Sequence, residues 1–166
     1  MKLHLILLGI ILCSLCLTTA LADEKANFSG SWTMDKSKTE GLPPNMEQKM
    51  KVTQEGDKLE LETNIFADDN VSTVNDSYII NGKEVEFPSR LNETIETKGK
   101  RVAKWNADGR GFEVNEESVF DTPEGKVTVT LQRKWNLSAD GKTLVIELNR
   151  KTPGGAFTVK RTFNRK

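Results

Sequence analysis

The chain has 166 residues, and its 24 lysines and arginines are balanced by 24 aspartates and glutamates. This balance gives no global field that would recruit nucleic acid or an anionic membrane surface. The single histidine, His4, and both cysteines, Cys13 and Cys16, lie within the first 22 residues. The rest of the chain lacks the side chains that most often act as general base, nucleophile or soft-metal ligand, so we expect neither an enzyme nor a metal or cofactor site.

The first 22 residues are typical of a cleaved export signal. An apolar run over residues 5–17 follows the basic Lys2, and residues 20–22 read Ala-Leu-Ala, a small-x-small cleavage site. The apolar run is too short to span a bilayer. We therefore expect cleavage before Asp23, no membrane span, and release of residues 23–166 as one monomeric domain that is secreted or periplasmic.

The segment around Trp32 predicts a first strand, and a looser connection containing Gly-Leu-Pro-Pro follows over residues 36–44. From Asn45 onward, apolar and polar residues alternate over short runs, which is the period-two pattern of strands with one buried face. Early runs cover residues 46–52 and 58–65, and the clearest covers 126–137. No helical periodicity is sustained, so an all-β domain is expected.

Short turn sequences separate these runs and predict hairpins, because they are too short for parallel crossovers. Breaks are also expected near residues 68–70 and near Pro88-Ser89, which gives about eight to ten antiparallel strands in sequential order. Such a meander protects its edges best by closing into a single up-and-down barrel, and a two-sheet β-sandwich is the alternative. The turn sequences are Glu55-Gly56-Asp57, Asn81-Gly82, Lys98-Gly99-Lys100, Asp108-Gly109, Pro123-Glu124-Gly125, Asp140-Gly141 and Pro153-Gly154-Gly155.

Each of the last three predicted strands carries an arginine on its otherwise apolar face: Arg133, Arg150 and Arg161. Folding the chain at the two intervening turns predicts Arg133 and Arg161 at similar height, two strands and roughly 9 to 10 Å apart, with Arg150 nearer the barrel end. A guanidinium that faces an apolar interior must be paired with an acid of the protein or of a ligand. A carboxylate ligand suits the planar, permanently charged donor fork of arginine.

Two internal partners are the alternatives to a ligand. Glu116 shares the predicted inward face of its strand with Phe112 and Phe120, and that strand neighbours the strand of Arg133. Arg161 has a second alternative, which is to stack on Trp32 and seal one end of the barrel.

Two short motifs resemble those of the lipocalin and fatty-acid-binding-protein (calycin) superfamily. Residues 30–32, which begin at Gly30, resemble its first-strand Gly-x-Trp signature, and this resemblance implies that Trp32 packs at the closed end of a barrel. Residues 161–163 resemble the Arg-x-Tyr pair that holds a carboxylate in fatty-acid-binding proteins, and Arg133 matches their second arginine in position. Phe163 stands in place of the tyrosine, so one polar group of that site is missing.

The whole of residues 27–166 is most similar to secreted bacterial lipocalin-like domains of unknown function. This resemblance implies the fold more than the function. The features that carry it are the segments 27–37, 99–105 and 135–144.

Two functions compete. The first is a secreted, non-enzymatic carrier that binds a small hydrophobic or amphiphilic acid, tail-in, with its head near Arg133 and Arg161, and this hypothesis requires a cavity. The second is an interaction or inhibitor module with a packed core that acts through surface loops, the first candidate being the loop over residues 36–44. The volume of the barrel interior discriminates between them.

Overall fold

A computed structural model describes residues 25–166 as one antiparallel sheet of ten strands joined in chain order. The prediction of a single all-β meander is confirmed, and the predicted export signal over residues 1–22 lies outside the described residues. A single turn of 3-10 helix, Lys36–Lys38, follows the first strand. The strands are β1 (Gly30–Met34), β2 (Met46–Glu55), β3 (Lys58–Ala67), β4 (Asn70–Ile79), β5 (Glu84–Arg90), β6 (Glu96–Trp105), β7 (Gly111–Thr122), β8 (Gly125–Leu137), β9 (Thr143–Thr152) and β10 (Gly155–Arg165).

The meander curls into an incompletely closed barrel. The first strand pairs with the last, with Trp32 opposite Arg165, so the strand order runs β4-β3-β2-β1-β10-β9-β8-β7-β6-β5. This order makes β4 and β5 the two edges of the sheet, and no ladder of hydrogen bonds joins them within the described residues. We call the gap between these two strands the seam.

An aromatic plug fills the interior at one end of the barrel. Its strand residues face inward, as the alternation along their strands predicts. Phe112 stacks on Trp135 with ring centroids 5.1 Å apart, and Phe28 meets Phe112 edge-on at 5.2 Å. Tyr78 packs against both of the stacked rings. Trp32 is 1 % exposed and donates its indole N–H to the carbonyl of Phe28 at 2.9 Å, so the first strand closes this end of the barrel.

Two predicted breaks are wrong because the residues lie inside strands. Gly99 falls within β6, where a Cβ atom would lie 2.7 Å from the ring of Phe87 and would also clash with the hydroxyl of Ser118. The glycine is therefore required by a close approach rather than by a turn. Pro88 continues β5, which is an edge strand and so tolerates a residue that has no N–H to donate.

The loop over residues 36–44 lies along β10 rather than standing free. The amide of Asp35 donates to the carbonyl of Thr162 at 2.7 Å, and Glu40 forms a bridge with Lys160. Gly41 has a φ of +78°, and a Cβ there would lie 2.7 Å from the carbonyl of Thr158. These main-chain contacts extend the pairing between β1 and β10.

Candidate ligand-binding cavity

The half of the barrel beyond the plug forms an open cavity of about 1360 Å³, whose lining also includes outward-facing residues of β2, β3 and β4 such as Lys51, Glu62 and Ser77. Its lining includes residues of both seam strands, β4 and β5, and inward residues of the strands opposite. One apolar lining residue, Phe157, is 49 % exposed at the start of β10. The other apolar wall residues that matter here are Leu61, Phe87, Phe120, Val129, Leu131 and Leu148.

Three arginines form the floor of this cavity, at the level where the plug ends. Arg133 lies two residues before Trp135 on β8, and Arg161 two residues before Phe163 on β10. Arg101 of β6 lies over the ring of Tyr78, with its guanidinium carbon 4.8 Å from the ring centroid. All three line the cavity. We call these three residues the arginine floor.

The sheet register gives the relative heights of the predicted arginines. Arg133 lies opposite Leu148, whereas Arg161 lies opposite Ile146, so the two are one inward row apart across β9. Arg150 is half-buried and lies opposite Phe157, on the side of the cavity away from the plug. Arg161, Arg133 and Arg150 thus occupy three successive inward rows, in that order from the plug toward the mouth.

Glu116 is a shared internal partner for two of the floor arginines. It is 8 % exposed, and its Oε1 accepts a hydrogen bond from Nε of Arg101 at 2.6 Å. The same oxygen lies 2.8 Å from Nη1 of Arg133. That nitrogen has no aligned hydrogen bond within the described residues, so the contact is a charge contact without the geometry of a hydrogen bond. Burial lowers the pKa of Arg133, but the acidic groups of Tyr78 and Glu116 raise it by more.

Arg101 also binds a second carboxylate, on β4. Its Nη1 donates to Oδ1 of Asp76 at 2.8 Å and to the carbonyl of Ser77 at 2.7 Å. The other oxygen of Asp76 accepts from the hydroxyl of Tyr78 at 2.9 Å. Arg101 is therefore fully engaged by protein groups and has little capacity left for a ligand.

Arg161 is the floor arginine without a carboxylate partner among the described residues. Its Nε is buried and has no acceptor. Burial lowers the pKa of Arg161, and the nearby charge of Arg133 lowers it further. The predicted alternative of stacking on Trp32 is wrong for this residue: the guanidinium over that ring belongs to Arg165, 4.6 Å from its centroid.

The predicted residue Phe163 lies in the plug, together with Trp135. Phe163 is 1 % exposed and pairs with Leu144 and Met34, and it is not among the residues that line the cavity. Trp135 is 3 % exposed, and its indole N–H has no acceptor among the described residues. It lies in the same cross-strand row as Arg161, with Ile146 between them.

The floor carries a net positive charge that suits an anion. Three guanidiniums face two carboxylates, Asp76 and Glu116, which leaves one positive charge uncompensated. Arginine stays ionised when it is desolvated, so this charge persists at any physiological pH. The geometry can therefore hold an anionic group. Within residues 25–166, no cluster of histidine, cysteine, aspartate or glutamate could hold a metal ion.

Sequence reasoning missed Arg101 and Asp76. Both follow the inward alternation of their strands, since Arg101 shares a face with Gly99 and Ala103, and Asp76 shares one with Tyr78. The alternation was therefore a usable signal for the direction of both side chains. It could not show that they meet, because β4 and β6 are not paired strands.

The fold of this curled antiparallel meander is similar to the calycin barrel that the sequence resemblance implied. The crystal structure of zebrafish ileal bile acid-binding protein in complex with cholic acid has a similar fold, with a TM-score of 0.51 and 17 % identity over 84 % of this chain and 98 % of that one. Secretory abundant heat soluble protein 4 from Ramazzottius varieornatus matches with a TM-score of 0.45 and 14 % identity over 84 % of this chain and 94 % of that one.

No protein-family model and no curated protein matches the chain. The narrower resemblance to secreted bacterial domains thus remains a prediction. Among residues 25–166, no helix is long and apolar enough to cross a membrane.

Proposed function

We propose that this protein is a non-enzymatic carrier that binds a small amphiphile with an anionic head inside its cavity. The observation that carries the proposal is Arg161, a guanidinium with a buried, unpartnered Nε that has no carboxylate partner among the described residues. A buried charge without a counterion is costly unless a ligand supplies one. An acid bound at the floor supplies that counterion.

The position of the charges sets the orientation of the ligand. The arginine floor lies against the plug, while apolar residues such as Phe120, Val129 and Phe157 line the walls. The bound head therefore lies at the floor and the tail extends toward the mouth, which is opposite to the tail-in orientation expected from the sequence. The unpartnered indole N–H of Trp135 adds a buried donor next to the floor.

The similar zebrafish structure supports this class of ligand, because it is a bile acid-binding protein in complex with cholic acid. Cholic acid is an amphiphilic acid, as the floor and walls of this cavity require. The cavity of about 1360 Å³ also favours a carrier over an interaction module with a packed core, since only the carrier hypothesis required a hollow interior.

The proposal includes export. Residues 1–22 have the pattern of a cleaved signal, so we place the carrier outside the cytoplasm as a secreted or periplasmic monomer formed by residues 23–166. An exported carrier without cysteine is insensitive to an oxidising compartment.

A series of ligands that differ only in the head tests the proposal. Dodecanoate, dodecanol and dodecyltrimethylammonium are titrated into residues 23–166 by displacement of a fluorescent probe, with native mass spectrometry as a second readout. We expect dodecanoate to bind at least about tenfold more tightly than dodecanol, because one charge-assisted hydrogen bond is worth that much, and the cation to bind most weakly. Equal binding of all three heads, or binding of none, would refute the proposal.

A further inference from the structure

The seam is held together by side chains rather than by a strand ladder. At its plugged end, the connection from β4 to β5 is anchored to its neighbours on either side: the amide of Ile80 donates to the carbonyl of Asp57 in the β2–β3 turn, and the amide of Gly82 donates to that of Ala103 on β6, both at 2.8 Å. Beyond these two bonds, β4 pairs only with β3, and β5 only with β6. Residues of both edge strands line the cavity on this side.

Arg101 spans this gap and contacts both of its edges. Its Nη1 binds Asp76 and the carbonyl of Ser77 on β4, and its guanidinium carbon lies 4.3 Å from the ring centroid of Phe87 on β5. On the β4 side, the ring of Tyr78 lies at 4.8 Å, so the guanidinium is sandwiched between aromatic rings of the two unpaired strands. The side chain of Arg101 is only 9 % exposed.

The neighbours of Arg101 hold it in this crossing position. Glu116 accepts from its Nε at 2.6 Å on the side of β7. Phe87 lies where a Cβ of residue 99 would be, so the glycine at that position lets the ring reach the guanidinium. These contacts involve four strands and converge on one side chain. Without the contacts of Arg101, no side-chain hydrogen bond or ion pair within residues 25–166 would join β4 to β5, β6 or β7.

We infer that the seam is the entrance of the cavity and that Arg101 is its clasp: release of Asp76 and Ser77 by the guanidinium lets the β3–β4 hairpin swing away from β5 and admits the amphiphile. The hydrogen bonds of Ile80 and Gly82 stay in place and act as the hinge. The anionic head then passes directly from the seam to Arg133 and Arg161. This inference rests on the proposed function, because it assigns the route to the same cavity.

Ligand association rates test the entrance. Asp76→Asn weakens the clasp and preserves its shape, and Phe87→Leu removes one ring of the sandwich without changing charge. Nile red, a neutral probe, is used so that loss of a carboxylate does not alter the rate through electrostatic attraction. In stopped-flow measurements, we expect both variants to raise the association and dissociation rate constants about fivefold or more, because a charge-assisted contact is lost only in the closed state.

Asp121→Asn is the matched control. It removes an exposed carboxylate that pairs with Lys126 outside the cavity, and it should leave both rate constants unchanged. Far-UV circular dichroism and thermal unfolding establish that each variant is folded. If one variant does not fold, the other still tests the inference.

The width of the seam is measured without any ligand. Residues 25–166 contain no cysteine, so spin labels at Asn75→Cys and Arg90→Cys report the distance between the exposed faces of β4 and β5. Asp76→Asn should shift this distance distribution to longer values. An unchanged distribution would overturn the clasp, and a wider seam with unchanged association rates would overturn the entrance. If the unaltered protein binds no probe, the proposed function fails together with the entrance, and the spin-label distances still decide whether Arg101 ties the seam.

Discussion

Replacing Arg161 by methionine should weaken the binding of an anionic amphiphile and, at the same time, stabilise the empty protein. Methionine is about as long as the aliphatic stem of arginine and carries no charge, so it keeps most of the contacts of that stem. It removes a guanidinium whose Nε is buried and has no acceptor among the described residues. The neighbouring charge of Arg133 is also positive, and it lowers the pKa of Arg161. The two effects have opposite signs because the group is unpaired in the empty protein and paired in the complex.

The two magnitudes follow from the partners that Arg161 has and lacks. A hydrogen bond to a charged group contributes about 1.5 to 3 kcal/mol, so its loss should weaken the affinity for dodecanoate about 10- to 150-fold. Replacing buried charges by apolar groups of similar volume is often stabilising by about 1 to 4 kcal/mol, and we expect the lower end, about 1 to 2 kcal/mol, because Arg161 is not fully buried. For a chain of this length, that gain raises the melting temperature by roughly 3 to 8 °C.

Probe displacement measures the affinity, and urea unfolding with and without dodecanoate measures the stability. Arg110→Met is the matched control, since it removes an exposed arginine from the turn before β7, outside the cavity lining. The control should change neither quantity measurably. If Arg161→Met destabilises the empty protein and leaves the affinity for dodecanoate unchanged, the guanidinium is compensated internally and the reasoning about the floor is wrong.

Three other substitutions test separate parts of the structure. Glu116→Gln leaves Arg101 and Arg133 with Asp76 as their remaining acid, so urea unfolding should show a loss of about 3 to 5 kcal/mol, while displacement should show tighter binding of dodecanoate. Gly99→Ala should lower the free energy of unfolding by about 1 to 3 kcal/mol, because its Cβ would lie 2.7 Å from the ring of Phe87; an unchanged value would mean that the ring moves freely. The pKa of Asp35 is lowered from 3.8 to about 2, chiefly by the hydrogen bond from Ser37, so its carboxylate stabilises the folded state above pH 3.8 and this contribution is lost as the pH falls through about 2. Acid titrations followed by circular dichroism should therefore show less loss of stability over this range in Asp35→Asn than in the unaltered chain.

Strand alternation predicted the inward direction of Arg133, Arg161 and Glu116, because the side-chain period of a strand is two and the hairpin turns fix the register. The turn at residues 140–141 places Arg133 opposite Leu148, as the predicted hairpin requires. The same reasoning failed at Gly99, where the glycine is needed by the ring of Phe87 inside a strand. Composition alone does not distinguish a glycine that turns the chain from one that admits a neighbour.

Sequence patterns could not predict the contact that forms the clasp, for a different reason. Arg101 and Asp76 are 25 residues apart and belong to strands that share no ladder, so no register relates them. Their contact exists because the sheet curls until its two edges approach each other. Curvature of this kind depends on the packing of the whole interior, including the plug formed by Phe28, Phe112 and Trp135.

Strand alternation predicts which side chains face inward, but it does not show whether the charges at the floor balance. Five ionised side chains meet at the floor, yet one oxygen of Glu116 serves two arginines while Nε of Arg161 meets no acceptor among the described residues. A structural ion-pair network would bring its charges to balance, because each unpaired buried charge lowers stability. The imbalance at Arg161 is thus an unfavourable feature of the empty barrel that an acid bound at the floor removes. Ligand binding should consequently stabilise this protein through the relief of a buried charge as well as through the burial of the tail, and a neutral amphiphile with the same tail should supply only the second contribution.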